Sequence, residues 1–208
     1  VAAGAIAISS LRRGGILIGT HISALAGIPD RAFGDLEADL EQLNDQIFPV
    51  LDENAALRMQ ERIRAAAREG DSVGGILETA VTGLPAGIGE PWFDTVESLL
   101  AHALFGIPAV KGVEFGEGFG FAAMTGSRAN DGLFVRDGKI AMRTNHNGGI
   151  NGGITNGMPL LFRCAFKPTP SISKEQESVD PATMQSRTLS VQGRHDPAIV
   201  HRARVVVD

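Results

Sequence analysis

Apolar residues recur along this chain with two different spacings, and each spacing predicts a different kind of element. Short runs of apolar and β-branched residues predict strands. These runs are 15–23, 71–81, 107–114, 119–125, 159–166 and 187–193. Longer segments in which apolar residues return every three or four positions predict helices. These segments are 1–11, 35–46, 52–70 and 93–104. The mixture predicts an α/β protein, of the α+β kind because antiparallel hairpins contribute to it.

Local signals indicate where the helix over 52–70 begins and ends, and they predict one further hairpin. Asp52 is a candidate N-cap of a helix, because a carboxylate there accepts bonds from free N–H groups of the first turn. Gly70 stands where that helix should end, at a position that favours positive φ. Residues 133–142 place apolar positions on both sides of Asp137-Gly138, the dipeptide that type I′ turns favour. The sequence therefore predicts a hairpin over 133–142, preceded by a polar loop over 126–131.

Glycines are concentrated in one loop, residues 145–157, which reads NHNGGINGGITNG. Glycine allows a backbone to reach positive φ or to approach a ligand closely. The predicted strand 159–166 follows, and at its end two prolines fix φ beside a cation and two hydroxyls. Such a corner suits a phosphate or another planar anion. Its members are Lys167, Pro168, Thr169, Pro170 and Ser171.

A second polar corner, residues 194–197, reads RHDP and lies near the end of the chain. Together with the glycine loop and Lys167, it predicts a site for an anion or a cofactor. A Rossmann fingerprint is absent, because that motif needs its glycines between a strand and a helix, whereas here they precede a strand. No Walker motif is present either. Structural turns remain the alternative explanation of a glycine-rich loop.

Composition narrows the class of protein. The 208 residues and 21.9 kDa suffice for a substantial core in one domain. The net charge is −5, and no basic run alternates with aromatic residues, so we expect no nucleic-acid partner. No stretch of about 18 apolar residues occurs, so no membrane span is expected and a cytoplasmic location is the default. Cys164, the single cysteine, lies in an apolar run and is expected to be packed core.

Several motifs, taken together and in order, resemble the chorismate synthase family. Each motif alone is a weak signal for the family, whereas the agreement of all of them in type and order is a specific one. They are GDSVGG at 70–75, GLPAGIGEP at 83–91, IPAVKGVE at 107–114, the glycine loop at 145–157, FKPTPSI at 166–172 and GRHDP at 193–197.

That resemblance implies an activity and an architecture. Members of the family convert 5-enolpyruvylshikimate 3-phosphate to chorismate by anti-1,4-elimination of phosphate, in the shikimate pathway of aromatic amino-acid biosynthesis. They require reduced FMN although no net redox change occurs, and NADPH is a possible reductant. The implied fold is a β-α-β sandwich assembled into a homotetramer.

The resemblance also assigns roles to residues. Pro108 and Ala109 are expected to touch the flavin through backbone atoms, Gly152 to let it approach, and Arg194 to add a charge-assisted contact. Residues 167–171 are expected to hold its polar end. Asp196 is expected to sit beside the flavin as the catalytic residue that tunes or relays a proton. Surface ion pairing of the cations and simple turn formation by Asp196 are the open alternatives. No metal is expected.

The departures from the family pattern set a further expectation. The family's acid and base histidines, several substrate-binding arginines and an arginine-serine-serine flavin contact belong to a segment upstream of Val1. His146 and His195 are therefore not expected to be catalysts. We expect residues 1–208 to form a single partial domain, truncated at both ends, and to be inactive alone. A non-catalytic flavin-binding or scaffolding remnant of the family, and an unrelated phosphate-binding enzyme, are the alternatives.

Overall fold

A computed structural model describes residues 1–44 and 46–208, apart from the side chain of Lys139. Its helices are α1 Ala2–Arg13, α2 Leu36–Asn44, α3 Glu53–Arg68, α4 Val96–Phe105, α5 Gly126–Ala129 and α6 Val200–Val207. The long strands are β1 Leu17–Leu25, β3 Gly75–Thr82, β4 Val110–Phe115 and β9 Leu160–Phe166. The short strands are β2 Ile28–Pro29, β5 Leu133–Arg136, β6 Lys139–Met142, β7 Ile150–Asn151, β8 Ile154–Thr155, β10 Gln176–Asp180 and β11 Gln185–Leu189. None of the described helices is both long and apolar enough to cross a bilayer.

A five-stranded antiparallel sheet organises the molecule, with strand order β2-β1-β3-β9-β4. Because every pairing in it is antiparallel, the fold class is α+β, as predicted. Side chains alternate between its two faces. The row Ile22, Leu77, Cys164 and Val113 lies on the face that joins the apolar core, together with Met59 of α3.

The opposite face of the same sheet carries a polar row. Register places His21 opposite Glu78, Glu78 opposite Arg163, and Arg163 opposite Glu114. Arg163 Nε lies 3.0 Å from Glu114 Oε1, and both nitrogens of the His21 ring reach carboxylates. Charged groups on adjacent strands thus pair across the sheet instead of facing an apolar neighbour.

Several predicted elements are confirmed, and each depended on a local signal. Asp52 Oδ1 accepts hydrogen bonds from the N–H groups of Asn54 and Ala55, at 2.7 and 3.0 Å, and so caps α3. Gly70 follows that helix with φ of +68°. Strands β5 and β6 form the predicted hairpin, and Asp137 and Gly138 have φ of +51° and +74°, the double positive φ of a type I′ turn.

Three predictions about secondary structure are wrong. Residues 119–125 are not a strand, because 118–123 wind into a 3₁₀ helix directly after β4. The polar loop over 126–131 contains the single turn α5. The strand predicted at 187–193 lies at Gln185–Leu189 and pairs with β10, which was not predicted at all. Both strands of that hairpin are mostly polar and largely solvent-exposed, so they carry no apolar alternation.

One irregularity of the sheet concerns the strand nearest the predicted corner. The register between β4 and β9 shifts between Val110 and Gly112, which leaves Lys111 as the extra residue of a β-bulge. Val110 is buried and Lys111 is exposed.

Candidate functional site

The corner formed by residues 167–171 lies where β9 ends, and it meets the segment that leads into β4. The Lys167 N–H donates to the Ala109 carbonyl at 2.9 Å. Ala109 has a φ of +74°, which is uncommon for a residue with a Cβ. The structure therefore brings together Pro108, Ala109 and Lys167, which the family resemblance assigns to one ligand.

A second segment, residues 70–74, lies beneath this corner. Ser72 Oγ donates to the Thr169 carbonyl at 2.6 Å. A Cβ at Gly74 would lie 2.5 Å from the Phe166 carbonyl oxygen and 3.0 Å from Pro168 Cδ. Glycine at position 74 is therefore a packing requirement, because any side chain would push the corner away.

The second polar corner, residues 194–197, joins the same segment from the other side. The Val73 N–H donates to the Pro197 carbonyl at 2.8 Å. The chain that leads into this corner also contacts the chain that leaves the first corner, since Ser190 Oγ donates to the Ser173 carbonyl at 2.8 Å. Residues 108–109, 167–171 and 194–197 are thus held around residues 70–74, although they lie far apart in the sequence.

Asp196 is anchored by two contacts within the second corner. Arg202 Nη1 of α6 lies 2.9 Å from Asp196 Oδ2, and the Ala198 N–H donates to Asp196 Oδ1 at 3.3 Å. These contacts agree with the turn-forming alternative for Asp196, and they also hold its carboxylate at the wall of a recess. The recess has a volume of about 340 Å³ and is lined by Arg194, His195, Asp196, Pro197 and Arg202.

Three polar groups at the two corners have no partner within the described part of the chain. The side chains of Lys167 and Arg194 are exposed and make no hydrogen bond or ion pair there. Thr169 Oγ1 is buried, yet no atom accepts or donates a bond to it. Buried hydroxyls are nearly always satisfied, so an unpaired one indicates a bound group or water. Two free cations and one unpaired hydroxyl fit a phosphate-bearing, polar ligand.

Gly152 does not join these corners within the described chain. It forms the turn between β7 and β8 with Gly153, and both have positive φ. The turn itself packs at the start of α4, where the Gly153 carbonyl accepts from the Val96 N–H at 3.0 Å. The chain that enters β7 packs at the start of β9, because a Cβ at Gly149 would lie 2.6 Å from the Pro159 carbonyl oxygen, whereas Lys167 follows the other end of β9. The seven residues of β9 place the two ends about 20 Å apart. No atom lies within 4 Å of the position that a Cβ at Gly152 would take, so its open face stays accessible.

The glycine loop is shaped by Asp131, the last residue of the polar loop predicted over 126–131. Its carboxylate accepts bonds from Thr144 Oγ1 at 2.7 Å, the His146 N–H at 2.7 Å, and the N–H and side chain of Asn147 at 3.0 and 2.8 Å. Burial alone would raise the pKa of Asp131, but these hydrogen bonds outweigh it and hold the pKa below its usual value. The carboxylate therefore fixes the loop internally.

The histidines of the two loops hydrogen-bond to backbone carbonyls. His146 Nδ1 lies 3.3 Å from the Ala129 carbonyl, and His195 Nε2 lies 2.8 Å from the Val191 carbonyl.

Cys164 is buried, and burial raises the pKa of its thiol to about 12, which confirms it as packed core.

Sequence reasoning missed two residues of this site. Ser72 was recognised only as part of GDSVGG, and Arg202 lay in a segment without a motif. The GDSVGG motif itself was the available signal for Ser72, because two glycines beside a hydroxyl are typical of close backbone approach. Nothing in the local sequence indicates that Arg202 pairs with Asp196.

Comparisons with known proteins show which family the chain resembles. The family model described as chorismate synthase matches residues 1–208. A chorismate synthase of Korarchaeum cryptofilum is 47% identical over 99% of this chain and 57% of its own length. That of Thermococcus gammatolerans is 54% identical over 76% of this chain and 44% of its own length.

A solved structure is also similar. A crystal structure of chorismate synthase superposes with a TM-score of 0.73 at 30% identity, covering 81% of this chain and 54% of that one. The chain spans about half the length of the curated relatives it matches. On the match of the family model to all 208 residues, the chain belongs to the chorismate synthase family.

Proposed function

We propose that these residues form part of a chorismate synthase, a lyase that eliminates phosphate from 5-enolpyruvylshikimate 3-phosphate to give chorismate. The observation that carries the proposal is the gathering of residues 108–109, 167–171 and 194–197 around residues 70–74. An anionic substrate and a phosphate-bearing cofactor both suit a site in which Lys167 and Arg194 have no partner within the described part of the chain.

Reduced FMN is the cofactor proposed for this site, with NADPH as a possible reductant. When bound, it would supply transient electron donation, which no side chain provides. Lys167 and Arg194 would bind its anionic and polar groups, and Thr169 Oγ1 would gain the partner that it lacks. Pro108 and Ala109 would line it with backbone, while Pro168, Pro170 and Ser171 would complete the corner. Gly152 would contribute from the separate turn between β7 and β8.

Asp196 is proposed as the residue that holds or moves a proton in the recess. Arg202 Nη1 holds Oδ2, and among the described residues Oδ1 accepts only the long bond from the Ala198 N–H, so a lone pair of Oδ1 remains for a proton. The carboxylate is therefore oriented before any ligand arrives, which is the arrangement a proton relay needs.

The wider biological setting is proposed from the family alone. We propose a cytoplasmic homotetramer in which residues 1–208 are a single partial domain. Because the family's histidines lie outside the 208 residues, this polypeptide by itself is expected to bind flavin without completing turnover.

The test is anaerobic phosphate release from 5-enolpyruvylshikimate 3-phosphate, with reduced and with oxidised FMN side by side. It is run on the 208-residue chain and on the longest product of the parent gene. Release by the longer product with reduced FMN alone supports the proposal. Flavin binding without release by the longer product favours the alternative of a non-catalytic remnant. If the longer product neither binds flavin nor releases phosphate, the proposal of a chorismate synthase is overturned.

A further inference from the structure

Residues 70–74 make more contacts to the candidate site than a connecting turn requires. The Gly70 carbonyl accepts from the Ser173 N–H at 2.9 Å, and Lys174 Nζ donates to Asp71 Oδ2 at 2.8 Å. Ser72 reaches the first corner and Val73 the second, as described above. Lys174 lies beyond the first corner, whereas Ser72 and Val73 contact the two corners directly, so these two residues connect the corners.

Ser72 is the member of this segment whose side chain holds residues 167–171 directly. Pro168 and Pro170 have no N–H, so this corner has few backbone donors with which to fix itself. Proline fixes φ, but the orientation of the peptide between Thr169 and Pro170 still depends on the ψ of Thr169. The hydrogen bond of 2.6 Å from Ser72 Oγ to the Thr169 carbonyl fixes that peptide.

The same hydrogen bond anchors the backbone of the residue that carries the unpaired hydroxyl. Thr169 Oγ1 is buried and the Lys167 N–H is tied to Ala109, so the corner is constrained at its start and at its middle. Release of the Thr169 carbonyl would allow both the hydroxyl and the following Ser171 to shift.

We infer that Ser72 is a positioning residue, which orients residues 167–171 for an anionic flavin through the Thr169 carbonyl without touching the ligand itself. The inference rests on the proposed function, since it concerns the same site. Loss of one neutral hydrogen bond to a half-buried carbonyl is expected to raise the dissociation constant for FMN about tenfold.

The experiment compares three variants of the longest gene product. S72A removes the hydroxyl, S72T restores one, and D71N breaks the neighbouring contact to Lys174 while leaving the Thr169 carbonyl bonded. FMN affinity is measured anaerobically by fluorescence, and amide hydrogen exchange of the peptide covering 167–173 is measured without flavin. Urea unfolding of each variant separates local loosening from global destabilisation.

The expected result is weaker FMN binding and faster exchange over 167–173 in S72A, with both largely restored in S72T and unchanged in D71N. Equal affinity of S72A and the wild type overturns the inference, and so does an equal loss in D71N. If S72A fails to fold, affinity in S72T decides, because a hydroxyl that restores folding without restoring affinity contradicts a positioning role. If the wild-type protein binds no FMN, the proposed function itself is overturned. The results from the variants alone would leave that function standing.

Discussion

Replacement of His21 by glutamine tests the polar row on the sheet. His21 is fully buried, with Nδ1 2.7 Å from Asp30 Oδ2 and Nε2 3.0 Å from Glu78 Oε2. The edge of its ring packs against Phe33 at 4.6 Å between centroids. Since both ring nitrogens face carboxylates, the imidazole is a cation that donates to both. Glutamine is similar in size and keeps one donor group, so the variant chiefly removes the charge.

The loss in the free energy of unfolding depends on the hydrogen bonds and the solvent exposure that Asp30 and Glu78 keep in the variant. Removing one partner of a buried ion pair costs about 3–5 kcal/mol. Asp30 keeps its bonds from the N–H groups of Leu51 and Asp52, at 2.7 and 2.9 Å, and the Glu78 side chain is 20% exposed. The lower end applies, so H21Q should lower the free energy of unfolding by about 3 kcal/mol. For a chain of this size that lowers the unfolding temperature by roughly 6–12 °C.

The effect should depend on pH in a defined direction. Burial alone would lower the pKa of His21, but hydrogen bonds to Asp30 and Glu78 and their charges outweigh it and raise the pKa above 6.5. The folded state then binds more protons than the unfolded state, so this contribution falls as pH rises. The stabilisation by His21 is fully present below about pH 6.5, the pKa of histidine in the unfolded chain. It is lost as the pH rises through the higher pKa that His21 has in the folded protein.

The assay is urea unfolding of wild type and H21Q at about pH 6 and about pH 9, either side of the unfolded histidine pKa. The difference between the two proteins should be larger at the lower pH. E61Q is the control, because it removes an exposed ion pair with Arg68 and should leave the midpoint unchanged. A difference below about 1 kcal/mol, the size of a single neutral hydrogen bond, or the same difference at both pH values, would refute the assignment of a buried imidazolium.

Three further predictions concern single positions. Cys164, with its pKa raised to about 12 by burial, should not react with a thiol reagent such as DTNB until the protein unfolds, and rapid reaction of the native protein would contradict that packing. G116A should cost roughly 3 kcal/mol or more in urea unfolding, because φ is +55° and a Cβ would overlap the His146 carbonyl oxygen. G138A is the control for positive φ without a clash and should cost about 1–2 kcal/mol. D52A should cost about 1 kcal/mol by loss of the α3 cap, and an unchanged midpoint would contradict the cap.

Elements whose signal is local could be predicted from the sequence. Helix α3 is delimited by its own cap and its own glycine, and the β5–β6 turn by two adjacent residues with positive φ. Strand β9 is apolar except at Arg163, because one face is buried in the core and the other is only partly exposed. In each case the residues that determine the element are the ones that form it.

Features that depend on distant partners could not be predicted. The β10–β11 hairpin is mostly polar and exposed, so burial imposes no pattern on it. Ser72 and Thr169 are separated by 97 residues, and no motif spacing reveals that a hydroxyl of one meets a carbonyl of the other.

The bulge in β4 has a consequence for how copies of this chain can associate. Strand β4 lies at the rim of the sheet, and no further strand pairs with its outer side among the residues the structure describes. A straight, apolar rim strand invites pairing with another chain and, repeated, leads to fibres. Here the bulge interrupts the ladder, and the exposed ammonium group of Lys111 would have to be desolvated by an added strand. Self-association through this rim is therefore disfavoured, and crowded or partly unfolded conditions should not readily convert the sheet into a growing fibril.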